Sequence, residues 1–102
     1  MVDGLNTILY RVEIMTTISL DYDDTFTEDP ELWLAFVKAA KARKHRVVVV
    51  TMRFPHEGRG MNPRLLELCE VFYTSRQLKR AFMERLKIQI DIWIDDRPDF
   101  IC

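Results

Sequence analysis

Three carboxylates in four residues, Asp21, Asp23 and Asp24, follow directly on the apolar run Thr16 to Leu20, and Thr25 comes next. This junction constrains the fold more than any other stretch. Thr16 to Leu20 is β-branched and apolar, the composition of a core strand. Acids packed at the end of such a strand repel one another and lose hydration, so a cation or a hydrogen-bonded site must offset the cost. The competing reading of an isolated D-x-D is a solvated acidic turn. The company that the motif keeps argues against it: Val47 to Val50 ends in Thr51, a later helix carries Lys79, and Ile90 to Ile94 ends in Asp95-Asp96. Polar groups thus recur at strand ends or helix starts in a fixed order.

Between these points the chain alternates strand and helix. Asp29-Pro30-Glu31 opens a helix, with Asp29 as N-cap and Pro30 in the first turn, where its missing N–H costs nothing. Leu32, Trp33, Phe36, Val37 and Ala40 form its apolar stripe. Val47 to Val50 shows no alternation and is expected to be buried on both faces, as in a parallel sheet covered by helices. Met52 to Asn62 reads as a loop, and Asn62-Pro63 caps a short helix from Arg64 to about Glu70. Val71 to Tyr73 reads as a strand. Ser75 is expected to cap a helix through Lys87 with Leu78, Phe82 and Leu86 inward, and Ile88 to Ile94 is the last strand. The pattern predicts a single Rossmann-like α/β domain of three layers with a mainly parallel sheet of about four strands. In such sheets ligands sit outside the carboxyl ends of the strands, where the strand order reverses.

A length of 102 residues suits one compact domain, expected over residues 15–102. Residues 1–14 read as an extension or a leader, and the alternation of Tyr10, Val12 and Ile14 with Arg11 and Glu13 leaves an extra edge strand open. A formal net charge of −1 supplies no global field toward nucleic acid or membrane. No apolar run approaches a membrane span, and Met1 to Ile14 lacks a secretory pattern. Cys69 and Cys102 have no metal-ligand spacing and are expected to stay reduced, in a cytoplasmic setting.

The order D-x-D-x-T, apolar run with Thr, Lys, then apolar run with D-D, spanning Ile18 to Asp96, resembles the haloacid dehalogenase (HAD) superfamily of phosphohydrolases. One departure is Asp24, where many members have glycine. The resemblance implies a strand order of 4-1-2-3, with Asp21 and Asp95 on neighbouring strands. It also implies phosphomonoester hydrolysis through an aspartyl-phosphate. Asp21 would be the nucleophile and Asp23 the acid for the leaving group and then the base for water. Thr51 would hydrogen-bond a phosphoryl oxygen. Of the two lysines in reach of that role, Lys79 lies near a helix start, at the active end of the sheet, whereas Lys87 lies at the other; Arg76 is a fallback cation. Magnesium would be held by the Asp21 carboxylate, the Asp23 backbone carbonyl and Asp95 or Asp96, one of which would bind while the other orients waters or Lys79. A receiver domain uses similar groups, but its acid pair precedes its phosphorylated aspartate.

Only 25 residues separate Thr25 from Thr51, and 27 separate Thr51 from Lys79, so neither gap holds a cap domain. Capless members of the superfamily tend toward large substrates or borrow a cover from a partner subunit, which leaves a homo-oligomer over the open site as an expectation. Arg53 and Arg59, in the loop after Thr51, are candidate contacts to a second phosphate or a nucleic-acid backbone. The expected partner is therefore a phosphorylated substrate, a nucleotide or a nucleic-acid end among them. The competing class is a non-catalytic HAD-fold binding module, against which the intact acids argue.

Overall fold

The computed structural model describes residues 16–102. The expected edge strand over Tyr10 to Ile14 lies outside them. Four parallel strands, β1 (Thr17–Leu20), β2 (Arg46–Thr51), β3 (Glu70–Tyr73) and β4 (Ile92–Ile94), form one sheet. Across it the order is β3-β2-β1-β4. Counted from the opposite edge those neighbours run 4-1-2-3, with β1 between β2 and β4. Three α-helices connect them: α1 (Pro30–Ala42), α2 (Pro63–Leu68) and α3 (Lys79–Arg85).

Alternation along β2 builds the two sides of the sheet. Val47 and Val49 join Ile18 and Leu20 of β1 in a core with Leu34, Val37 and Ala40 of α1 and Leu65 of α2. Val48 and Val50 face the other way, onto Met83 of α3 and Ile90. All four valines are buried, which is why the run shows no polar alternation. The result is a three-layer arrangement of helix, sheet and helix.

Local signals account for much of the detail. Asp29 caps α1 by accepting from the Leu32 N–H at 3.2 Å, with Pro30 in the first turn. Asn62 caps α2 through the N–H groups of Arg64 and Leu65. The apolar stripe of α1 is rotated from its expected position: Leu34 is buried and Leu32 is 56% exposed. Trp33 and Phe36 pack edge to face at the margin of the core.

Two boundaries also move. The helix expected to begin after Ser75 starts at Lys79, because the backbone N–H groups of Thr74, Ser75 and Arg76 donate to the carbonyls of Thr51, Arg53 and Met52. Those bonds carry the chain alongside the end of β2, with Ser75 and Arg76 at φ of 55° and 71°. Ser75 therefore caps nothing, and the Thr74 hydroxyl instead donates to the Gln77 carbonyl. The buried positions of α3 are Lys79 and Met83, while Leu78 and Leu86 are exposed. The last strand is shorter than Ile88 to Ile94, since Ile88 bonds back to Met83 and Ile90 packs on the sheet face before pairing begins at Ile92.

The rotated stripe sets a simple expectation for α1. Leu34→Ala should cost about 2–5 kcal/mol of stability by opening a cavity, and Leu32→Ala should change it by no more than about 0.5 kcal/mol. Chemical denaturation of the two variants checks this, and equal losses would contradict the placement.

Candidate functional site

Because the sheet is parallel, the carboxyl ends of β1, β2 and β4 all open on one edge. Asp21 follows β1, Thr51 ends β2, and Asp95 and Asp96 follow β4. The Asp21 N–H donates to the Ile94 carbonyl at 2.9 Å, which continues the β1–β4 ladder up to the acids. An open cleft of about 690 Å³ lies over this edge, with Asp21, Asp23, Thr51, Lys79 and Asp96 in its wall.

Lys79 is the centre of the arrangement. It is 1% exposed, and its ammonium donates to Asp21 Oδ1 at 2.8 Å and to Asp95 Oδ2. The delayed start of α3 makes this reach available, since Lys79 is the first helical residue and its side chain leans back toward the strand ends. Asp95 is fully engaged, because its second oxygen accepts from the Arg97 N–H at 2.9 Å. Asp96 is exposed and borders the cleft. The Thr25 hydroxyl lies 3.0 Å from Asp21 Oδ2 and 3.3 Å from Asp96 Oδ1. It has one proton to donate, so it serves one of these acids at a time.

The chain from Tyr22 to Thr25 is a turn. Tyr22 is buried, stacks on Phe26 with ring centroids 5.3 Å apart, and accepts from the Asn62 N–H. That anchor leaves Asp21 and Asp23 on the cleft side. Asp24 is exposed at φ 65°, the left-handed region that glycine enters most easily and aspartate tolerates.

Arg53 does not stand free. Its Nε and Nη2 donate to the two oxygens of Asp23 at 2.9 and 2.7 Å, and its Nη1 donates to the Glu57 carbonyl at 2.6 Å. The guanidinium also lies 5.1 Å from the Tyr22 ring centroid. Arg76 reaches the cleft with its guanidinium on Glu57 and on the Met52 carbonyl. Arg59 is exposed and takes no part in the cleft wall. Lys87 is also exposed and lies beyond the far end of α3. Thr51 is buried, and its oxygen accepts from the Arg53 N–H at 3.3 Å, while its own O–H finds no acceptor among the described residues.

Oxygens of Asp21, Asp95 and Asp96 lie within 4.8 Å of one another. One lysine among three carboxylates leaves the cluster short of positive charge, and its all-oxygen donor set could hold a metal ion. The Asp21 carboxyl is pushed up to about 7. Burial is the main cause; Lys79 opposes it, while Asp96 and Asp95 add to it.

Sequence reasoning had no sign of the Arg53–Asp23 pair, or of Thr25 between two acids. Both depend on side chains meeting across loops, and the Thr at the end of D-x-D-x-T was the one available signal. No family model, no curated protein and no solved structure matches this chain. Among the described residues, no helix is long and apolar enough to cross a membrane.

The raised Asp21 value has a consequence for stability. An unfolded carboxyl ionises near 3.8 and the folded one near 7, so folding favours the protonated form. That contribution is complete below pH 3.8 and is lost as pH climbs to about 7. In chelator, Asp21→Asn should therefore melt at least about 5 °C above the wild type at pH 8, with the gain vanishing by pH 4. Melting curves that keep the same separation at both pH values would contradict burial as the cause.

Proposed function

We propose that this chain is a magnesium-dependent phosphohydrolase of the HAD type, which cleaves a phosphomonoester through an aspartyl-phosphate. The observation that carries this reading is Lys79, a buried ammonium bonded at once to the acid after β1 and to the acid after β4, beneath a cleft that Thr51 also borders. A buried lysine between two carboxylates is also met as a structural ion pair. Here the pair borders an open cleft together with a hydroxyl and two further acids, as phosphoryl transfer requires.

In this reading Asp21 Oδ attacks phosphorus and the bond to the ester oxygen breaks, with the leaving oxygen protonated from Asp23. Water then attacks the aspartyl-phosphate, Asp23 takes its proton, and inorganic phosphate leaves Asp21 free again. Lys79 offsets charge on the phosphoryl oxygens and keeps the Asp21 carboxylate oriented. The Thr51 O–H supplies a further donor to a phosphoryl oxygen. Mg²⁺, held by Asp21 and Asp96 with the Asp23 backbone carbonyl, would offset phosphoryl charge when bound. Asp95, committed to Lys79 and to the Arg97 N–H, is the orienting member of its pair.

The breadth of the cleft favours substrates that extend beyond the transferred group, such as a nucleotide or a nucleic-acid end. Arg76 and Arg97 in its wall offer charge for a second anionic group.

The direct test is turnover of an aryl phosphate. Wild type should release phosphate in the presence of Mg²⁺ and stop in excess chelator. Asp21→Asn should retain less than about a hundredth of the rate, since a neutral amide cannot act as the nucleophile. Full activity in chelator, or a mutant at close to the wild-type rate, would sink the proposal.

A further inference from the structure

Arg53 spends its donors on Asp23 and on a backbone carbonyl, and we propose that it is a positioning residue for the second half of the reaction. The proposal rests on the phosphohydrolase reading above. Two parallel N–H···O bonds, at 2.9 and 2.7 Å, set the plane of the Asp23 carboxylate as well as its distance. The fork is itself held, with Nη1 on the Glu57 carbonyl, the guanidinium near the Tyr22 ring, and the backbone N–H on Thr51 Oγ1. Tyr22 is buried, so the surface on which Arg53 rests is part of the core. Asp23 is otherwise a half-exposed side chain on a turn, with a side-chain exposure of 48%.

Geometry of this kind holds both Asp23 oxygens at a fixed distance and in a fixed plane, as an acid that must meet one particular water needs. Attack of that water on the aspartyl-phosphate is the step in which Asp23 takes a proton. In that step one O–H bond of water breaks, its oxygen bonds to phosphorus, the phosphorus–Asp21 oxygen bond breaks, and the proton passes to Asp23. Arg53 touches none of the reacting atoms and acts through Asp23.

Removal of the fork should slow dephosphorylation and spare phosphorylation of Asp21. With an aryl phosphate, whose leaving group needs little protonation, Arg53→Ala should lower kcat by about tenfold or more. KM should fall in step, leaving kcat/KM within about threefold of wild type. A burst of aryl alcohol, close to one per protein molecule, should precede the slow turnover. Arg53→Lys keeps the charge but not the fork, and should behave like Arg53→Ala. In an Asp23→Asn background, loss of Arg53 should change kcat little further, because its effect runs through the missing carboxylate.

Melting curves of both arginine variants establish that they fold, and Arg53→Lys serves if the alanine variant does not. A parallel fall of kcat and kcat/KM, absence of a burst, full activity in Arg53→Lys, or additive losses with Asp23→Asn would each overturn this role for Arg53. These outcomes leave the phosphohydrolase reading standing as long as wild type turns over. A wild type without turnover would instead overturn both.

Discussion

A lysine ammonium with almost no access to water holds together the edge of this sheet where the strands end. Burying a charge is costly unless partners replace the lost hydration. Lys79 finds those partners on two adjacent strands, Asp21 after β1 and Asp95 after β4. Parallel pairing of β1 and β4 brings both acids to the same edge, and the late start of α3 brings the lysine down to them. Three elements are thus pinned by one side chain, and a helix of seven residues gains an anchor that its own short hydrogen-bond ladder could not supply.

The same cluster is left unbalanced by design of its composition. Asp21, Asp95 and Asp96 share one ammonium and one threonine hydroxyl. Burial raises the affinity of an acid for its proton, and the upward displacement of the Asp21 carboxyl reports it, with Lys79 opposing and Asp96 and Asp95 adding to it. Oxygens of the three acids lie close enough together that the cluster could hold a metal ion. Around it the charges are paired differently. Arg53, Arg76 and Arg97 each meet an acid close by, Asp23, Glu57 and Asp99. Exposed pairs such as Arg76–Glu57 and Arg97–Asp99 contribute little to stability. Arg53 is different, because it is forked onto Asp23 and backed by a core tyrosine.

Much of this was legible from local residue chemistry. The β-branched run Val47 to Val50 implied a strand covered on both faces, and each of its valines is buried. Asp29-Pro30 and Asn62-Pro63 mark helix starts because short oxygens next to a proline satisfy the free N–H groups of a first turn. The choice of Lys79 over Lys87 followed from the polarity of a strand–helix unit, in which helix starts share the edge where strands end. Other features were beyond local rules. The segment that forms α1 carries more apolar residues than one stripe can hold, and only packing chooses Leu34 over Leu32. Ser75 looks like a cap, but its N–H is claimed by the loop after β2.

The sequence by itself determined which residues carry charge at strand ends, because an acid cannot sit inside a β-branched run and must fall where the strand stops. It also determined the alternation of strands and helices, through apolar period and helix caps. Tertiary structure alone decided who meets whom. Asp23 and Arg53 are 30 residues apart, and their pairing requires two loops to converge over one tyrosine. Asp95 and Asp96 are chemically identical neighbours, and what separates them is that one side chain is turned under the cleft onto Lys79 while the other is left at its wall. Such differences come from the direction of a side chain relative to a packed sheet, a quantity that exists only once the sheet has formed.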